Sequence, residues 1–290
     1  MCSLLALPLG CSARVFLHME GKPLGENAVF YEGGGGNAVA LFHGREAFLV
    51  DAKLMDFAQR LQRAVEAPEG GAGREVKRIM LTHAHADHVN GLSRFEHLGA
   101  VIVHVNCKKR LLAEEKDWLR AQPYVEVEEA INLELGAESV HIFHPGRGHT
   151  DGDLAAYLPR RKLLIAGDLW NNGFEPEADP RYGGDIRALG YAYDRLLLHP
   201  FEVVLPGHGG SGTRAELQKT RDYLKAMEDG VVAAVAQGMS EEQTVASVTL
   251  AQWPDYIPIP VMANRKLNVR MMWRSVSAGA GTSAIIDARR

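Results

Sequence analysis

The stretch from Met80 to Gly91, MLTHAHADHVNG, places His83, His85 and His88 and the carboxylate of Asp87 within six consecutive positions. Neutral imidazole and carboxylate are the donors that a borderline cation such as zinc accepts. A purely structural reading would crowd three histidines into one tight loop with nothing to bind, and it is the poorer one. The apolar run before the motif reads as a strand over Val76–Thr82, so His83 and His85 leave its end in a turning loop. Val89, Leu92 and Phe95 then mark one face of a helix over Ala86–Leu98. Asp87 and His88 fall in its first turn, beside the first pair but aimed at a different point. One loop can therefore feed two metal positions.

Three later motifs end strands or enter loops in the same manner. His149 sits in the Gly-rich turn PGRGHTDGD, Asp168 closes the apolar run LIAGD, and His208 lies in LPGHGG. Each alone reads equally well as a turn histidine or a cap. As a set they supply the ligands that the first motif lacks. The loop after Asp168 carries Trp170, Asn172 and Tyr182, candidate substrate contacts of which Asn or Tyr could supply an oxyanion donor.

The ordered set His83-x-His85-x-Asp87-His88, His149, Asp168 and His208 resembles the metallo-β-lactamase superfamily over about Val15 to Gly210. The resemblance implies an αββα sandwich of two mixed β-sheets flanked by helices. It implies two Zn2+ per chain, one held by His83, His85 and His149, the other by Asp87, His88 and His208, with Asp168 between them. Asp51 matches an aspartate that supports the metal loop, and Thr150 is placed to orient a ligand. The implied reaction is hydrolysis: a hydroxide bridging the metals attacks a carbonyl, and Asp87 passes a proton to the leaving group.

Fold analogy does not choose the substrate. β-Lactamases in the strict sense usually lack the bridging aspartate, so Asp168 leans towards a small ester, thioester or lactone. β-Lactam hydrolysis stays open as an alternative. So does a different class, the persulfide dioxygenases of the superfamily, which use one Fe2+ held by two His and one Asp. The basic surface or inserted domain of RNA-processing members is not visible.

These motifs need two sheets to present them. An opening antiparallel meander is expected from Arg14–His18, Ala28–Tyr31, Asn37–Phe42 and Phe48–Asp51, with Gly33–Gly36 as a hairpin connection. No Gly-Lys-Ser/Thr follows those glycines, which removes a phosphate-loop reading. A helix over Met55–Val65, a strand over Val101–Val105 and a charged helix over Lys108–Leu119 follow. The period then turns to two, giving strands at Val140–Phe143, Leu154–Leu158 and Lys162–Ala166, and later Val203–Leu205. Helices are expected over Ile186–Leu197, Arg214–Gly238, Ser240–Val248 (with Ser240 and Gln243 as a capping box) and Asn264–Val276, with a loose tail over Ser277–Arg290. A catalytic core over 12–212 and a helical extension packed on it over 213–290 account for the chain.

With 46% apolar residues among 290, a sizeable core is available, and a net charge of −4 gives no reason to expect nucleic acid as a partner. A small molecule is the expected partner, with oligomeric state left open. No apolar run reaches the length of a membrane span. Three scattered cysteines indicate no disulfide framework. The segment Leu4–Cys11 is short for a signal core and has no basic residue ahead of it. The expectation is a cytoplasmic protein, with export left open if a leader precedes the chain.

Overall fold

Leu163, Ile165 and Leu205 point one way from their strands, and Leu164, Ala166 and Val204 point the other, yet both sets are buried. A strand apolar on both faces must be covered on both, and this requirement sets the four layers. The computed structural model describes residues 18–67, 73–253, 256–259 and 262–287.

The first sheet holds β1 (Met19–Pro23), β2 (Ala28–Gly33), β3 (Ala38–His43), β4 (Glu46–Val50), β5 (Glu75–Met80), β6 (Ala100–His104) and β7 (Tyr124–Val127), side by side in that order. Its first four strands are antiparallel, and β4 to β7 run parallel. The second sheet runs β13-β12-β11-β10-β9-β8, from β8 (Ala130–Leu135), β9 (Glu138–Phe143), β10 (Ala155–Leu158), β11 (Leu163–Gly167), β12 (Val203–Pro206) and β13 (Gly212–Thr213). Only β11 and β12 pair in parallel there. Both sheets are thus mixed.

Between the sheets, Phe48, Val50, Met80 and Ile102 meet Val140, Ile142, Leu163 and Ile165. The outer face of the first sheet packs Leu49, Ile79 and Val103 on Leu61 and Val65 of α1 (Met55–Val65) and on Leu92 and Phe95. On the second sheet's outer face lie α5 (Ile186–Leu196), α6 (Arg214–Ala236) and α8 (Arg265–Asp287). They bury Leu189, Tyr193, Leu224, Met227, Val269 and Met272 in one cluster with Leu164 and Val204. The expected capping box of Ser240 and Gln243 starts α7 (Glu241–Ser247). No helix among the described residues is long and apolar enough to cross a membrane.

Four expectations are corrected. The helix after the histidine motif is only α2 (Ala86–Val89), followed by a 3-10 turn over Asn90–Arg94. The backbone of Ala52 and Lys53 presses against it: Ala52 N donates to His88 O at 2.7 Å, and Gly91 N donates to Lys53 O at 2.9 Å. A Cβ on Gly91 would overlap Ala52 O. The tighter wind keeps Leu92 and Phe95 buried despite this contact. The charged helix begins earlier and breaks into α3 (Val105–Ala113) and α4 (Asp117–Arg120), with Glu115 left-handed at φ 56°. Two glutamates at the C-terminal end of α3 oppose its dipole. The edge strands β1, β7, β8 and β13 are additions, and the four residues of β7 are too few to show a period. The last helix runs on to Asp287 instead of ending at Val276. The expected strand at Arg14–His18 and the segment Leu4–Cys11 lie outside the described residues, apart from His18.

Candidate metal centre

The C-terminal ends of β5, β11 and β12 open onto one rim, and the turn between β9 and β10 joins them there. This places His83 and His85, Asp87 and His88 of α2, His149, Asp168 and His208 together. One ligand atom from each of His83, His85, His149 and Asp168 lies within 4.8 Å of the others, and Asp87, His88 and His208 form a second such group. Asp168 faces both. Its Oδ2 is 3.7 Å from His149 Nε2 and 3.3 Å from His208 Nε2, and its Oδ1 is 3.1 Å from His88 Nε2. Asp87 Oδ2 lies 3.2 Å from His208 Nε2.

The far nitrogens of four rings are fixed. Thr82 Oγ1 donates to Asp51 Oδ2 at 2.7 Å, so its remaining capacity accepts from His83 Nδ1 at 3.0 Å. His88 Nδ1 donates to the same Asp51 Oδ2 at 2.7 Å, and His149 Nδ1 donates to Glu177 O at 3.2 Å. His85 Nε2 lies 3.2 Å from Asp179 Oδ2. Each of these contacts directs the other ring nitrogen inwards, where a neutral ring presents the lone pair that a metal ligand requires. His85 Nδ1 and His149 Nε2 consequently meet at 3.0 Å. His83 Nε2 is buried without a hydrogen-bond partner, and His88 Nε2 and Asp168 Oδ1, also buried, face only each other at 3.1 Å. Converging lone pairs that lack donors fit a cation, and the imidazole and carboxylate set fits zinc.

The electrostatics divide the histidines. Burial, with neighbouring imidazoles, drives His83 down and His149 to about 4. Burial also opposes charge on His88 and His208, but the carboxylate of Asp168, with Asp87 nearby, outweighs it; both rise, His208 to about 10. Asp87 and Asp168 fall although burial works against them, because His88 and His208 face them. Glu177 is pushed up to about 8 by burial and then by Asp168.

Several supports carried no signal in the motifs. Asn37 Nδ2 donates to Pro206 O and Gly209 O, both at 2.9 Å, tying the glycine loop to the His208 loop of the other sheet. Buried Lys53 donates through Nζ to the carbonyls of Tyr31 (2.9 Å), Gly33 and Gly36 (2.8 Å). That holds Gly36 where a Cβ would lie 2.5 Å from the His88 ring. Asn171 Oδ1 accepts from His208 N at 2.9 Å. The sequence motifs single out none of Glu177, Asp179, Lys53 and Asn37.

Among the candidate substrate contacts, Tyr182 reaches the site, its ring edge-on to His85 at 4.4 Å. Trp170 does not. It is 2% exposed in the helix-side core, with Nε1 donating to Thr220 Oγ1 at 3.1 Å. Asn172 spends its amide on Gly210 O at 3.0 Å, bracing the His208 loop. The N and Oγ1 of Thr150 both donate to Asp153, stiffening the turn that carries His149.

The family model described as the metallo-beta-lactamase superfamily matches residues 31–208. The chain belongs to that superfamily. A metallo-beta-lactamase type 2 of Bacillus cereus is 26% identical over 191 residues, covering 65% of this chain and 73% of its own length. A metallo-beta-lactamase domain-containing protein 1 of Xenopus laevis is 26% identical over 207 residues, covering 68% and 79% respectively. Among solved structures, a metallo-beta-lactamase from Pontibacter korlensis superposes with a TM-score of 0.61 at 20% identity, over 72% of this chain and 99% of that one. The two-sheet sandwich is therefore the superfamily's fold. Family membership and the clustered donors make the chain a metal-binding hydrolase of the metallo-β-lactamase superfamily.

Proposed function

We propose that the chain is a dinuclear zinc hydrolase acting on the carbonyl of a small ester, thioester or lactone. The observation that carries this reading is Asp168, whose two oxygens face both histidine groups at 3.1–3.7 Å. His83 Nε2, His85 Nδ1 and His149 Nε2 would hold one zinc, and Asp87, His88 and His208 the other. Bound there, two zinc ions would lower the pKa of water towards neutrality and would act as Lewis acids towards the substrate carbonyl. The chain's own residues orient and exclude. Asp51, Thr82, Asp179 and Glu177 O hold the rings, and the glycine loop clamped by Lys53 closes one side. Tyr182 borders the site beside His85, positioned to contact the substrate. Asp87, 23% exposed against 5% for Asp168, is the carboxylate that can exchange a proton with a departing group.

The helices after residue 212 are read as an extension of a core spanning 12–212. The Bacillus cereus relative supports a second reading, β-lactam hydrolysis. A panel of thioester, lactone, phosphodiester and β-lactam substrates offered to the zinc-loaded chain tests the proposal. Turnover of a thioester or lactone well above that of a β-lactam is expected. A preference for the β-lactam would move the chain to the second reading, and activity only with one iron per chain would contradict both.

A further inference from the structure

The loop that fixes the ring of His149 is itself held from behind by helices outside the family match. Asn268, fully buried on α8, donates through Nδ2 to Pro176 O at 2.8 Å and to Glu175 Oε1 at 3.1 Å. Tyr223 OH of α6 donates to the same Glu175 oxygen at 2.6 Å. Glu175 N donates to Ile257 O and Ile257 N donates to Gly173 O, each at 2.9 Å, so the backbone on either side of Phe174 is pinned as well. One residue past Pro176, Glu177 O accepts from His149 Nδ1. Two residues further on, Asp179 faces His85.

The same helix reaches the other side of the His149 turn. Ser275 Oγ donates to Asp185 Oδ1 at 3.3 Å, and Asp185 N donates to Gly148 O at 2.9 Å. Asn268 and Ser275 are seven residues apart, two turns along one face of α8. That face is anchored by Val269, Met272 and Val276 in the core.

We propose that Asn268 is a positioning residue for the metal centre: through Pro176 and Glu175 it sets Glu177 O, and so the tautomer and aim of the His149 ring. The inference rests on His149 being a metal ligand, as read above. The amide orientation is chemically determined, because both partners of Nδ2 are acceptors and a flipped amide would set oxygen against oxygen. An imidazole whose outer N–H loses its fixed acceptor is free to rotate or exchange tautomers, and a metal must then pay for the ordering. The C-terminal extension thereby becomes part of the shell that orients the ligands.

The test uses the full chain with Asn268→Leu, Tyr223→Phe and His149→Ala. Zinc affinity is read by chelator competition, and the imidazole nitrogen and N–H signals of His149 and His83 by NMR. Asn268→Leu should weaken zinc binding about tenfold or more and shift the His149 signals, while those of His83, held by Thr82, stay in place. Unchanged affinity and an unchanged His149 signal in the folded variant overturn the proposal. Should Asn268→Leu fail to fold, Tyr223→Phe removes a single hydroxyl and should move the same two readouts in the same direction; no movement overturns the proposal equally. His149→Ala separates the two levels. If it binds zinc as tightly as the parent chain, the ligand reading falls and this inference with it. If it loses zinc while Asn268→Leu does not, only the role of Asn268 falls.

Discussion

His88 Nδ1 and Asp51 Oδ2 lie 2.7 Å apart, both fully enclosed, at the floor where the two sheets meet. Asp51 also accepts from Thr82 N at 2.8 Å and from Thr82 Oγ1, so one carboxylate orients a ring in each histidine group. Its left-handed backbone, φ 61°, turns the chain out of β4 to make this reach.

Replacing Asp51 with Asn keeps the shape but sets an NH2 group against donors. His88 would then have to accept at Nδ1 and carry its proton on Nε2, where the cation belongs. We expect Asp51→Asn to fold and to lose about 10–100-fold in metal affinity, measured by chelator competition. Parent-like affinity would remove Asp51 from the account.

Metal uptake should release protons unequally. In the metal-free chain His88 and His208 are raised, so at pH 7 a cation entering between them must displace protons. His83 and His149 are lowered and already neutral at that pH. Affinity for the second cation therefore rises with pH from neutrality towards 10, by about tenfold per unit for each proton displaced. Calorimetric titration in two buffers of different protonation enthalpy should show more protons released with one equivalent than with the other. Equal release for both equivalents would contradict the assignment.

Asp153 gives a stability signature. Burial pushes its carboxyl up to about 8, against the bonds from Thr150. Between its ordinary value of 3.8 and about 8 the folded state keeps a proton that the unfolded chain has lost. That contribution is fully present at low pH and disappears as pH rises through the window. Asp153→Asn has no such proton. Urea unfolding of the metal-free proteins should show the parent losing about 2–4 kcal/mol relative to the variant between pH 5 and pH 8. A pH-independent difference would refute it.

Two aromatic residues of one loop should behave oppositely. Trp170→Ala empties a core site and should cost about 3–5 kcal/mol of stability, read by denaturant unfolding. Tyr182→Ala should leave stability within about 1 kcal/mol and zinc content intact while raising KM. A large stability loss for Tyr182→Ala with KM unchanged would exchange their roles.

The ligands were legible because the chemistry sits in a handful of letters: a histidine triplet, and single His or Asp residues placed where apolar runs end. The strands were legible where both faces are buried, as at Leu163–Ala166, and failed at Tyr124–Val127, an edge strand whose four residues are too few to show a period. The supports were not legible, for two physical reasons. Some are backbone carbonyls, such as Glu177 O under His149, which no side-chain letter announces. Others act across the fold: Asn37 grips Pro206 at a separation of 169 residues. Trp170 was misplaced because a loop position says nothing about which side of the loop faces the core.

The most direct test is the zinc stoichiometry of the full chain by native mass spectrometry, measured beside Asp168→Ala. Two zinc ions per parent chain are predicted, with the pair lost or reduced to weak single occupancy when Asp168 is removed. A parent chain that takes no more than one ion, or a variant that holds two as firmly as the parent, would contradict the account.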